Sequence, residues 1–411
     1  MGEFFQVVTH EQALAAILPL IEPLGDRERL PLSAATGRVL AEGVPAPHPL
    51  PQFARSAMDG FAIRAADSHG AGEGAAAELE IVGEVPMGGR PSLRVGPGQA
   101  AVIHTGGMLP EGADAVVPVE YTQQLEDGVV EVLRAVGGGQ HVIQAGEDYA
   151  AGEVLVEARR RLQAPELGAL AACGVTEVEV IVPPRVAILS QGDELVAPER
   201  QPAPGQVRDI NSLALSVLVD QGGGRPWPGA AILPDSLEAL EQAARRALAG
   251  ADMLVFSAGS SVSVRDLTAR AIERLGRPGI LAHGLAVRPG KPTVVALCEG
   301  KPVLGLPGNP VSAQVVFQLV GRPLLAALLG TACHPPARLQ AVLTRPLSSL
   351  AGREDRVPVR LHRAEQGLQA EPLLGKSNSI GLLVRADGLA VIERDLNGVA
   401  AGQAVWVELL P

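Results

Sequence analysis

The sequence predicts a multidomain α/β plus β protein, with a doubly wound, mostly parallel α/β domain flanked by two β-rich regions. Three observations lead there. From Arg185 to Leu329, apolar runs of strand length alternate with runs of helical period. On either side, from about 53 to 145 and from Pro336 to Pro411, short β runs are punctuated by Gly and Pro. Composition agrees: 48 Gly and 34 Pro imply many turns, and only 2% aromatic residues means cores of Leu, Val, Ala and Ile. A chain of 411 residues is long enough for two to four such cores.

In chain order, Thr9-His10-Glu11-Gln12 reads as a capping box opening an amphipathic helix that ends near Leu24-Gly25. Residues 31–44 read as a second short helical segment, with Leu32, Ala35, Val39 and Leu40 on one side. A Pro-rich stretch from Val44 to Pro51 leads into the runs Glu78–Val82, Gln99–His104, Ala115–Val119 and Val129–Val136. A strand at Val154–Val156, a helix at Pro165–Cys173 and a strand at Glu177–Val182 follow. Pro183-Pro184 marks a boundary, after which the period changes. Strands are expected at Val186–Leu189, Ala230–Leu233, Asp252–Phe256, Thr293–Leu297 and Val303–Leu306. Helices are expected at Ser212–Asp220, Ser236–Ala249, Arg265–Leu275 and Pro310–Leu329.

Content of 47% hydrophobic and 19% charged residues is that of a globular chain. A net charge of −11, with no long Lys/Arg run, argues against nucleic acid as a partner. Cys173, Cys298 and Cys333 are far apart and without metal-type spacing, and Cys298 lies in an apolar run that suits a buried, inert thiol. A reducing compartment is expected. No signal-like segment and no run of 18 apolar residues is present, so a cytoplasmic protein without membrane contact is expected.

In an open α/β sheet, ligands bind beyond the carboxyl ends of the strands. Those ends carry Ser190-Gln191-Gly192-Asp193-Glu194, Pro234-Asp235, Ser257-Ala258-Gly259 with Asp266 beyond, and Pro307-Gly308-Asn309-Pro310. Small residues let backbone approach a ligand. Carboxylates offer hard oxygens to Mg²⁺, which commonly arrives with phosphate. Singly, each carboxylate is more often an N-cap or a solvated turn residue; together on one rim they point to a site. At Pro307–Ser312, Asn309 suits an N-cap and Pro310 the first helical position, so the first turn's N–H groups suit an anion. Positive charge gathers at Arg288-Pro289-Gly290-Lys291-Pro292, with Arg353 and Arg356 as a second cluster. Arg55-Ser56-Ala57-Met58-Asp59-Gly60-Phe61, His104-Thr105-Gly106-Gly107 and Gly146-Glu147-Asp148 are further small-plus-polar turns. No nucleophilic triad, P-loop or GxGxxG after a strand is present.

The order of SAMDG at 56–60, TGGMLPEGADAVV at 105–117, AGED at 145–148, SQGDEL at 190–195, RPGKP at 288–292 and LPGNPVSA at 306–313 resembles the molybdopterin molybdenumtransferase family. That family is related to the E domain of gephyrin, and the resemblance runs from about Phe5 to Leu410. It implies an elongated protomer of four parts: a linking domain (26–45 and 145–182), an inserted β domain (46–144), an α/β molybdopterin-binding domain (183–330) and a C-terminal β-barrel (331–411). The N-terminal helix, 1–25, is expected to pack on the α/β part. The resemblance also implies a homodimer whose site is completed by the partner chain. The implied reaction takes adenylylated molybdopterin and molybdate, inserts the metal and releases AMP, with Mg²⁺ as cofactor. Molybdopterin adenylyltransferase and other proteins of the pathway are the implied partners.

Carried over residue by residue, the resemblance gives Asp59, Asp148, Glu194, Asp235 and Asp266 catalytic roles, with Glu194, Asp235 and Asp266 at the metal. Thr105, Ser190, Gly192, Ser257, Gly259, Arg288, Lys291, Pro307, Gly308, Asn309, Pro310, Arg353 and Ser377 would meet the substrates. Departures are also visible. The family loop SGGVSVG is here Ser257-Ala258-Gly259-Ser260-Ser261-Val262-Ser263. Arg288 stands where lysine is common, Ala54 where aspartate is frequent, and Arg356 and Pro358 where an aromatic residue and a second arginine are usual. Two alternatives share the fold: a molybdopterin-binding scaffold without turnover, and a molybdopterin adenylyltransferase. Five carboxylates and two turn cations favour the transferase over a scaffold, and the extra β domains argue against the adenylyltransferase.

Overall fold

Strand runs that are apolar on both faces must be covered on both faces, and this requirement organises the larger part of the chain. In the computed structural model, which describes residues 7–229, 231–258, 262–365 and 367–410 (262–266 as backbone only), the chain forms two compact units. The smaller is Arg29–Thr36 with Leu40–Glu179; the larger takes in the chain up to Glu28, Gly37–Val39 and Val180 onward.

The larger unit is built on a seven-stranded sheet. Arg185–Gln191 pairs in parallel with Arg225–Pro226, Ala231–Leu233 and Met253–Ala258, and the last pairs in parallel with Lys301–Pro307. Beyond that strand the sheet turns antiparallel, through Val294–Cys298 and then Pro278–His283. The strand Pro278–His283 has no counterpart in the sequence reading. It begins with proline and carries Gly279, which a sheet tolerates at its edge, and the edge is where it lies. Alternate residues feed two cores. Val186, Ile188, Val255 and Leu304 meet Ile17, Leu215, Val219 and Phe317 on one face. Ala187, Leu189, Leu254, Phe256 and Val303 meet Leu240, Ala244 and Ile272 on the other.

Several elements differ from expectation. The capping box at Thr9 is formed, but the α-helix spans only His10–Ile17 and passes into a 3₁₀ turn, Leu18–Leu20. Pro19 has no N–H to continue the ladder. The expected helix at 31–44 is a single 3₁₀ turn, Leu32–Ala34, followed by bridging strand at Val39 and Leu40. Pro45 and the Gly37 turn leave too few residues for a stable helix. The helix from Pro310 is α to Val316, π across Phe317–Gly321, and α again over Arg322–Leu329. Arg322 N–H donates to Phe317 C=O, a wider loop ahead of Pro323, which cannot donate. By length and composition this 20-residue stretch alone among the described residues matches a membrane span, and 67% of its apolar window is buried inside the protein.

The chain after Thr331 closes a five-strand barrel. Glu354–Ala364 pairs with Gly367–Pro372, that with Arg338–Leu343, that with Ala404–Leu409, and that with Gly388–Ile392, which returns to Glu354–Ala364. Ala341, Leu343, Val359, Ala370, Ala390 and Val407 fill it. Val287–Arg288 adds to it in parallel, opposite Glu354 and Asp355.

The smaller unit carries a six-stranded sheet in the order Ala115–Pro118, Gly60–Ile63, Gln99–Ile103, Ala77–Glu84, Val129–Val132 and Thr122–Gln124. Gly60–Ile63, inside the sheet, was masked in sequence by the turn signal Asp59-Gly60. The glycine is needed for another reason: a Cβ there would collide with the carbonyl of Val117 on the neighbouring strand.

Candidate functional site

The turn Arg288-Pro289-Gly290-Lys291 is held on three sides. Leu285 N–H and Thr293 N–H both donate to Lys291 C=O, at 2.8 and 2.9 Å. The buried Thr293 hydroxyl donates to Gly290 C=O at 2.7 Å. Gly290 has φ +120°, and a side chain there would collide with Val316 of the helix that starts at Pro310. Only glycine lets the turn press against that helix. On the barrel side, Arg288 faces Asp355 across the strand pair.

The turn forms one wall of a cleft of about 1290 Å³ within the larger unit. Arg288, Lys291, Pro307, Asn309, Arg353 and Ser377, all expected at the site, line it. Asn309 takes the N-cap position of the helix, but its side chain does not cap; Nδ2 donates to Ser377 Oγ at 3.0 Å. Val311 N–H donates to Ser377 C=O at 3.1 Å, so this amide of the first turn is occupied by protein. The expectation of open helix N–H groups is corrected there. The two links instead tie the strand–helix corner to the segment carrying Lys376 and Ser377. Arg356 is buried and paired with Glu354 and Glu408. Lys291 and Lys376 have no hydrogen bond or ion pair among the described residues. In a chain of net charge −11, the cleft is lined by Arg288, Lys291, Arg353, Arg356 and Lys376 against the carboxylate of Asp355. It is a local positive basin suited to oxyanions.

The sheet rim adjoining this corner is polar and buried. Ser190 and Ser257 lie side by side in register. Asn211 Nδ2 donates to Ser257 Oγ at 2.9 Å and to Gly308 C=O at 2.8 Å, joining two rim loops. Ser190 Oγ and Asn211 Oδ1 are buried with no hydrogen-bond partner. Gln191 Oε1 accepts from Thr268, and its Nε2 donates to Asp235 Oδ1 at 3.0 Å. Gly192 packs under the carboxylate of the exposed Glu194. Glu194 follows the Arg185 strand, two strands from the Gly308 corner and about 10 Å away at ordinary strand spacing, and Asp235 follows Ala231–Leu233, one strand further out. Pro310 begins the helix and is buried. Gly259 and the side chain of Asp266 lie outside the described residues.

In the smaller unit, Asp59 and Thr105 meet. Asp59 Oδ1 accepts from Thr105 N–H at 2.7 Å and from Thr105 Oγ1 at 3.0 Å. These two bonds hold the carboxyl below its ordinary pKa, with His104 assisting. Asp148 is exposed in a turn whose N–H donates to Leu50 C=O.

Residues 8–174 match the model of the MoeA N-terminal region (domain I and II), 187–327 that of the probable molybdopterin binding domain, and 340–410 that of the MoeA C-terminal region (domain IV). The chain belongs to the MoeA family. It is 36% identical to a molybdopterin molybdenumtransferase of Nostoc over 96% of this chain and 91% of that protein. It is 34% identical to molybdopterin molybdenumtransferase 2 of Mycobacterium tuberculosis, over 98% of each chain. A crystal structure of the MoeA protein from Pyrococcus horikoshii superposes with a TM-score of 0.82 at 29% identity, covering 98% of this chain and 100% of that one.

Against the MoeA motifs, sequence reasoning missed three residues that the structure brings to the cleft or rim. Lys376 stands alone in a polar loop, where a single lysine carries no signal. Asn211 looked like an ordinary helix-start residue. Asp355 lies between Arg353 and Arg356 in a charged run, Arg353-Glu354-Asp355-Arg356, and composition does not tell which of its members point inward.

Proposed function

We propose that this chain is a molybdopterin molybdenumtransferase. It takes molybdenum from molybdate and inserts it into adenylylated molybdopterin, with release of AMP, in molybdenum cofactor biosynthesis. The observation that carries the reading is the positive cleft of a MoeA-family chain, in which Arg288, Lys291, Arg353 and Lys376 line one cavity with the Asn309–Ser377 corner. Molybdate is a dianion, and binding it beside a phosphoanhydride requires concentrated positive charge. Arg288 and Arg353 present planar guanidinium groups to oxyanions, whereas Lys291 and Lys376 act as point charges. Ser377, fixed by Asn309, offers a hydroxyl to an oxygen of the ligand. The rim from Ser190 to Gly308 is the place for the molybdopterin substrate, its two loops held together by Asn211 through Ser257 and Gly308. The rate gain comes from positioning and from charge stabilisation.

Mg²⁺ is the expected cation. Among the described residues no three His, Cys, Asp or Glu side chains converge as a ready metal site. Glu194 and Asp235 still suit an ion that takes few protein ligands and completes its shell with water and phosphate. They would hold it, and it would supply neutralisation of phosphate charge. Asp266, Asp59 and Asp148 complete the proposed acidic set. The working assembly is a homodimer, which sedimentation would report as twice the 42.4 kDa chain mass. It acts in the cytoplasm, receiving its substrate from molybdopterin adenylyltransferase.

The deciding experiment is complementation. In a bacterium lacking its own molybdenum-insertion enzyme, the parent chain should restore molybdoenzyme activity at low molybdate. Lys291→Ala should restore it only when molybdate is raised. If the parent chain restores nothing while accumulating as folded protein, the transferase reading is wrong.

A further inference from the structure

Arg288 and Arg353 come from different parts of the larger unit, one from the connection between the sheet strands Pro278–His283 and Val294–Cys298 and one from the barrel. Both line the cleft, and both meet the same carboxylate. Asp355 Oδ1 accepts from Arg353 Nε at 2.8 Å, and Oδ2 accepts from Arg353 Nη2 and from Arg288 Nη1, each at 3.4 Å. The Asp355 side chain is 2% exposed, whereas Arg288 and Arg353 are 62% and 31% exposed. A buried acid therefore lies behind two accessible cations. The backbone fixes it there: Arg288 and Asp355 are register partners in the parallel strand pair, and Asp355 is also paired with Ile392 inside the barrel. The remaining N–H groups of both guanidinium groups have no protein partner among the described residues.

We propose that Asp355 is a positioning residue of the oxyanion site. It grips one edge of each guanidinium and turns the other edges toward a shared ligand, so that two flexible arginines act as one preset fork. This inference rests on the reading of the cleft as the molybdate site. Its logic separates it from simple charge balance. A carboxylate that merely tempers the basin opposes anion binding, and its removal strengthens binding by raising the local positive charge. A carboxylate that aims the arginines favours binding, and its removal weakens binding although the local charge rises.

The test is calorimetric titration of the full-length protein with molybdate alone, at two ionic strengths, for the parent, Asp355→Asn, Asp355→Glu and Lys291→Ala. Asp355→Asn keeps the shape and removes the charge. It should weaken molybdate binding by about tenfold, the loss of one well-aimed charge-assisted contact, while the salt dependence stays at least as steep as the parent's. Asp355→Glu keeps the charge and changes only its reach, and it should also weaken binding; it covers the case in which Asp355→Asn does not fold. Equal or tighter binding by a folded Asp355→Asn, or unchanged binding by Asp355→Glu, overturns the inference. If Lys291→Ala also leaves molybdate binding unchanged, the oxyanion site lies elsewhere, and the reading of the cleft fails together with the inference.

Discussion

The pairing of Asp59 with Thr105 shows what one residue's surroundings decide. An aspartate beside glycine is usually a turn former. Here its Oδ1 takes both the amide and the hydroxyl of Thr105, and the charged form is favoured. A carboxyl held below its ordinary pKa contributes stability above the ordinary carboxylate range, and that contribution is lost as pH falls through the lowered value. Thr105→Val removes the hydroxyl but keeps the amide. The Asp59 pKa should therefore move up, toward its ordinary value, in a carboxyl-carbon NMR titration; an unmoved titration would assign the effect to the amide alone. Residue types and motif order were legible in the sequence at this scale. So was the character of Cys298, whose burial pushes its thiol up to about 11. The partners were not legible. Nothing in the spacing of Asn309 and Ser377, or of Asn211 and Gly308, tells that they touch, because contacts between distant loops leave no period.

Elements that bury a full face were readable, since a face repeats. The strands Arg185–Gln191 and Met253–Ala258 and the helix Leu237–Gly250 lie close to where their patterns put them. Short pieces such as Val287–Arg288, which sets Arg288 against Asp355, are two residues long and carry no pattern at all. Helix ends fall between these cases. The helix Leu237–Gly250 is closed by Lys301, whose Nζ donates to the carbonyls of Leu248 and Ala251 at 2.5 and 2.8 Å. An ammonium at a helix C-terminus satisfies orphan carbonyls and the helix dipole together. Lys301→Met should lower stability by roughly 1.5–3 kcal/mol, the range for hydrogen bonds involving a charged group, read as a shift of the denaturation midpoint. A change of a few tenths would show that water replaces the lysine without cost.

At the scale of the whole molecule, the chain passes between its two compact units four times, at Glu28/Arg29, Thr36/Gly37, Val39/Leu40 and Glu179/Val180. Each unit has its own apolar cores. Units with separate cores unfold separately unless ligand or association couples them. Calorimetry of the ligand-free chain should therefore resolve two transitions, and limited proteolysis at the lower midpoint should leave one unit intact. A single transition whose calorimetric and van't Hoff enthalpies agree would show that the units are coupled.

The helix His10–Ile17 belongs to the larger unit, and Ala13, Ile17 and Ile21 share a core with Leu215, Leu324 and Leu328. A ribosome makes that helix well before these partners. Leu40–Glu179 is finished in the interval, so the later unit can close only around a segment that has waited through the synthesis of the other.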